Sequence, residues 1–218
     1  MKFIAKELKN EPETLIKFRK TPNSSYSGFG DTDKLLKKAL CKEQGYICCY
    51  CMRRISEQSM CVEHYIPQNR HKDSPYSKKI HKENELKYQN MLASCNDKSH
   101  SCSGEKKNKP LLKVNPLDKN IENLVSFKSQ FFFTDNDKLV EHDLCKVLKL
   151  GSDRFENWRS EVLYKVRENL SKNAKPWTAS VLKKELENWS KPNKQGEYRP
   201  FCRVAIDYLE AKIKQLEK

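Results

Sequence analysis

Apolar residues fall at helical spacing in both flanks of this chain and lose that period in the middle. After the polar, Pro- and Ser-containing stretch EPETLIKFRKTPNSSYSGFGDTD, positions Leu36, Ala39 and Leu40 share one helical face, with Asp33 placed to cap the helix and Gly45 to stop it. In the C-terminal third, Phe155, Trp158, Val162, Val166 and Leu170 recur as one helix stripe. A second helix fits Val181 to Trp189 and ends before Pro192, and a third, from about Pro200 to Lys218, lines up Cys202, Ile206, Leu209, Ile213 and Leu216. Between these flanks, YICCYCMRRISEQSMCVEHYI predicts a tight knuckle followed by a short strand. PQNRHKDSPYSKKIHKENELK is polar and predicts a loop, YQNMLASC leads to a second Cys-bearing turn, and SGEKKNK makes a short helical stretch closed by Pro110. VSFKSQFFFTDNDKLVEH alternates and predicts a β-hairpin that turns at Asp135-Asn136-Asp137. No internal repeat is present. The segments divide into an N-terminal arm and helix (1–40), a Cys-rich module (41–115), and a hairpin with helices (116–218). The expected fold class is α+β, mostly helical.

Composition changes this picture in one respect. The 218 residues hold 43 Lys and Arg against 29 Asp and Glu, a formal charge of +14. The basic residues run along the whole chain, which suits an extended polyanion better than a single acidic pocket; a solvated Lys-rich surface is the equally open alternative. Mean hydropathy is −0.89, which excludes a membrane protein, and the first twenty residues are too interrupted by charge for a secretory signal, so a cytoplasmic protein is expected. Three Trp, nine Tyr and nine Phe supply enough large apolar area for a folded core.

Nine Cys without an export signal argue against a disulfide framework. Cys48-x2-Cys51 and Cys95-x6-Cys102, 43 residues apart, form two pairs able to close one tetrahedral thiolate site for zinc. His100 is a substitute ligand for Cys102, which is preferred because thiolate binds zinc more strongly. A redox CxxC would want a βαβ context that is missing. Cys49 and Cys61 are spare, and Cys41, Cys145 and Cys202 read as small buried hydrophobes.

Between the cysteine pairs lies Val62-Glu63-His64-Tyr65-Ile66-Pro67, and Asn90 follows 26 residues after His64. Phosphodiester hydrolysis needs a base to deprotonate water, which a neutral His near pH 7 supplies, and a divalent ion at the developing charge, for which Glu63 offers an oxygen ligand to Mg²⁺ or Mn²⁺. Asn90 can hold the loop and orient the imidazole. His71, His81 and His142 lack such a frame and read as ordinary polar residues.

The segments CCYCMRRI, CVEHYIPQNR, YQNMLASC and CSGEKKNK together resemble the HNH endonuclease family, and within it the PtuB-like subgroup of retron and Septu anti-phage systems. LCKEQGYICCYCMRRI and YRPFCRVAIDYLEAKI are also similar to that subgroup, so the resemblance covers most of the chain. It implies a zinc-bound ββα-metal module in a helical scaffold and metal-dependent cleavage of DNA or RNA. It also implies a partner, a PtuA-like ATPase of the ABC/SMC type, in some systems with a retron reverse transcriptase and its RNA–DNA product. Position by position, His64 matches the family's general base, Asn90 the middle Asn, and Cys48, Cys51, Cys95 and Cys102 the zinc ligands. The third motif position departs: Ser103 stands where many members place His or Asn, leaving Ser103, Glu105, Asn108 or water to complete the divalent site. Lys106 falls at the helix Lys position, where a cation could meet a phosphate. The rival expectation is a zinc-dependent nucleic-acid-binding or adaptor module without catalysis.

Overall fold

The computed structural model describes residues 1–32, 34–96, 101–173 and 176–217. It is α+β and mostly helical, with two small two-stranded antiparallel sheets. In chain order the elements are α1 (Glu13–Arg19), α2 (Leu35–Glu43), β1 (Met60–His64), α3 (Lys78–Asn84), β2 (Met91–Cys95), α4 (Cys102–Lys106), α5 (Ile121–Leu124), β3 (Ser126–Lys128), β4 (Phe131–Phe133), α6 (Lys138–Glu141), α7 (Asp153–Asn173), α8 (Ala179–Ser190) and α9 (Cys202–Leu216).

The central sheet pairs β1 with β2, setting Glu63 opposite Leu92 and His64 opposite Met91. β2 is buried along its whole length, and α2 packs against it through Leu36, Leu40 and Cys41. Each such Leu contributes about 1.5–3 kcal/mol by leaving water. Gln44, at the end of α2, fixes this packing from inside: its amide donates to the Ile47 and Ala93 carbonyls at 3.0 and 2.8 Å, and its oxygen accepts from Ala93 N at 2.7 Å. Gly45 follows with φ +59°, and a Cβ there would collide with the Tyr198 ring, so the stop expected at Gly45 has a steric as well as a conformational basis.

The cap expected from Asp33 lies outside the described residues. Asp31 does that work, accepting from Leu36 N and Lys37 N at 3.1 and 3.2 Å. The hairpin forms but turns elsewhere. Ser129 takes φ 56° between β3 and β4, while Asp137, expected in the turn, instead caps α6 by accepting from Leu139 N and Val140 N. An Asp before a short helix satisfies two orphan donors at once, and that outweighs its value as a turn residue.

The N-terminal stretch is neither extended nor free. Met1, Ile4 and Leu15 are buried, Ile4 N donates to Pro116 O at 2.9 Å, and Phe18 meets Phe29 at 5.3 Å between centroids. Its few apolar positions are spaced widely enough to hide the docking signal. The C-terminal helices pack as a unit, α8 on α9 and α7 on both. Phe155, Trp189 and Phe201 are buried and Trp158 and Trp177 half-buried, but Leu216 is exposed in the final turn, off the expected stripe's buried part. Cys41 and Cys202 are buried as expected. Cys145 is exposed, because a π-helical turn at His142–Val147 rotates it off the apolar face. The helical region grips the Cys-rich module directly: Phe201 N donates to Met52 O at 3.0 Å, Tyr198 N to Gly45 O at 2.9 Å, and Cys102 N to Leu148 O at 2.9 Å.

Candidate active site beside a four-cysteine cluster

Cys48 and Cys51 sit in a tight turn closed by Cys48 N donating to Arg53 O and Met52 N to Cys48 O, at 2.9 and 3.0 Å, with Met52 left-handed at φ 61°. Cys95 ends β2 and Cys102 begins α4. All four are buried, their sulfurs lie within 4.8 Å of one another, and the Cys48–Cys102 and Cys51–Cys95 pairs stand 3.9 and 3.8 Å apart. A tetrahedral ion with bonds of about 2.3 Å to sulfur needs edges of about 3.8 Å. These four cysteines can therefore hold a metal ion, and the all-thiolate, closed donor set fits zinc. Burial opposes ionisation of the Cys48 thiol, yet hydrogen bonds from Cys102, Cys49, Cys51 and Cys95 hold it well below its ordinary range, whereas burial pushes Cys51 and Cys102 up. A cation at the centre removes that conflict. His100, the alternative ligand, lies outside the described residues. Cys49 is buried beside the cluster without belonging to it, and Cys61 is half-buried on β1.

His64 ends β1 opposite Met91, at the other end of the sheet from Cys95, which pairs with Met60. Its Nε2 stands 2.9 Å from the Glu85 carbonyl and its Nδ1 3.0 Å from the Gln68 amide nitrogen. A carbonyl only accepts, so Nε2 carries the proton; Nδ1 then keeps its lone pair and accepts from Gln68. Burial lowers the His64 pKa below its ordinary value, which keeps the ring neutral, and Tyr26 covers it edge-on at 4.4 Å between centroids. His64 and Gln68 line a cleft of about 300 Å³ together with Glu63, Asn69, Asn96, Ser103, Lys107 and Asn108.

Asn90 holds the loop, as expected. Its Oδ1 accepts from Ile66 N at 2.8 Å, and its Nδ2 donates to the Ile66 and Asn84 carbonyls at 2.9 and 3.0 Å. It does not orient the imidazole; Glu85 and Gln68 do that. His81 is not an ordinary surface residue either. It is buried on α3, bonded through Nδ1 to Pro67 O and through Nε2 to Ser74 Oγ at 2.9 Å, tying down the loop that carries Gln68. His71 and His142 stand near the surface.

Glu63 departs most from expectation. Its carboxylate is buried, accepts from Tyr50 OH at 2.9 Å and from the Ser103 hydroxyl, and pairs with the Lys106 ammonium at 2.8 Å. Lys106 is wholly buried and also donates to His64 O at 3.3 Å, so it cannot meet a phosphate from this position. Ser103 contacts Glu63, Glu105 pairs with Lys109 at 3.5 Å, and Asn108 lines the cleft. Among the described residues lining the cleft, Glu63 is the sole carboxylate, and its charge is already compensated. A divalent ion does not fit Glu63 in this arrangement.

Tyr50, Gln68 and Glu85 complete the site without standing out in sequence, whereas Lys106, expected at a phosphate, turns inward to Glu63. Compared with protein-family models and with curated proteins, the chain finds no match.

Proposed function

We propose that this chain is an HNH-type endonuclease, the nuclease subunit of a bacterial anti-phage defence system, hydrolysing phosphodiester bonds of DNA, with RNA as the other polymer to test. One observation carries the reading: a neutral, buried His64 with its Nδ1 lone pair in a polar cleft, on a strand braced by four clustered cysteines. In this reading a water in the cleft, taking the place of the Gln68 amide, gives its proton to Nδ1 as its oxygen bonds to phosphorus and the P–O bond to the leaving 3′-oxygen breaks, that oxygen taking a proton from solvent water, while Nε2–H keeps the ring fixed on the Glu85 carbonyl. The cysteine cluster holds zinc as a structural ion, and the charge of +14 draws the polyanion.

The reading includes an ATPase partner of the ABC/SMC type, which the family resemblance implies, and a cytoplasmic location; the chain has no phosphate-binding GxxxxGK[ST] loop, so any nucleotide sensing falls to that partner. Among the described residues no helix is long and apolar enough to cross a membrane. A retron reverse transcriptase with its RNA–DNA is a further partner for the same pull-down. The second reading, a zinc-dependent nucleic-acid-binding or adaptor module, is favoured by one observation, the compensated Glu63. Cleavage panels on the co-expressed complex, comparing wild type with His64→Ala at equal metal content, separate the two: only the nuclease loses turnover.

A further inference from the structure

The carboxylate expected to receive a divalent ion already has a cation. Lys106 places its ammonium 2.8 Å from Glu63 Oε1 and 3.3 Å from the His64 carbonyl, and the side chain is fully shielded from solvent. Tyr50 OH and Ser103 OH donate to the same carboxylate, so two hydroxyls and one ammonium fill its near surroundings. The local charge is balanced. A second cation at Glu63 would stand at close range to the ammonium in a buried setting, where like charges repel strongly.

The Lys106 side chain is completely screened from water. It lies on α4, whose first residue is the cluster cysteine Cys102, one turn earlier on the same face. Ser103, the next residue of α4, is the hydroxyl on the other carboxylate oxygen. One short helix thus carries a metal-cluster ligand and two of the groups that engage Glu63.

We infer that Lys106 is the resident counter-charge of Glu63 and bars a divalent cation from it while α4 is seated. The chain alone therefore rests in a state that refuses the ion, and admitting one requires α4 to shift and withdraw Lys106. The significance of this state rests on the nuclease reading, but its test does not use cleavage.

The experiment is a Mn²⁺ titration of the full zinc-loaded chain, followed through paramagnetic broadening of the histidine ring signals by NMR. An ion at Glu63 would lie beside His64 and broaden it ahead of the other histidines. Wild type is expected to show no selective loss at His64. Lys106→Met, which keeps the length of the stem and removes the charge, is expected to show that selective loss, with at least about tenfold tighter Mn²⁺ binding. Selective broadening of His64 in wild type overturns the inference, and so does a folded Lys106→Met without it. If Lys106→Met does not fold, the wild-type titration alone decides in the same two directions. If His64→Ala later proves to cleave normally, the nuclease reading falls while the Mn²⁺ result stands.

Discussion

Replacing Asn90 tests whether one buried amide holds the candidate site together. The side chain is 5% exposed and makes three hydrogen bonds, one accepted from Ile66 N and two donated to the Ile66 and Asn84 carbonyls. Asn90→Ala removes all three and leaves partly buried backbone groups without partners. At about 1 kcal/mol net for each bond, the loss is about 3 kcal/mol. For a chain of this size that corresponds to a fall in Tm of about 6–12 °C. Asn90→Asp sharpens the test. It retains the acceptor for Ile66 N but turns the other oxygen toward two carbonyls, so near pH 7 it is expected to be at least as destabilising as Ala. Urea and thermal unfolding of zinc-loaded protein measure both. A loss under about 1 kcal/mol for Ala, or an Asp variant more stable than Ala, would refute the reasoning.

Elemental analysis is expected to find about one zinc per chain, and Cys51→Ser or a strong chelator to melt the module around β1 and β2, seen as lost dispersion in NMR spectra. Protein that stays metal-free and fully folded contradicts this. Burial lowers the His64 pKa, so the unfolded chain binds the extra proton first as pH falls. The His64 contribution to stability is therefore complete above the ordinary His value of about 6.5 and is lost as pH drops below it. Unfolding of wild type against His64→Gln between about pH 5 and 7 checks the sign. Co-expression with a neighbouring ABC/SMC-type ATPase is expected to give a complex on size exclusion whose nuclease activity follows the partner's nucleotide state; a chain that elutes alone and cleaves at full rate refutes that control.

The parts of this structure that were legible in the sequence rest on local spacing. The α7, α8 and α9 stripes follow the 3.6-residue period. The CxxC knuckle and the second cysteine pair announce their cluster because thiols at those intervals have few other purposes. Asn90 was legible as a loop anchor through its place after Glu63-His64 in the frame of the two cysteine pairs. What escaped depends on partners distant in sequence. Nothing near Lys106 says that its ammonium enters the interior, because its partner Glu63 stands on another element. His81 hides in a polar stretch whose single short helix buries only that residue. Cys145 sits on an apolar face only if the helix is regular, and the π-turn makes it irregular. Asp137 had two good uses, in a turn or as a cap, and the two orphan N–H groups at the start of α6 decide for the cap.

The central claim is that His64 is a general base, and the most direct measurement is single-turnover phosphodiester cleavage by wild type and His64→Ala in the assembled complex. The account predicts a loss of about 10²–10⁴-fold in rate, with zinc content and nucleic-acid affinity nearly unchanged, because a base acts in the transition state rather than in binding. Cleavage by His64→Ala at the wild-type rate would contradict it.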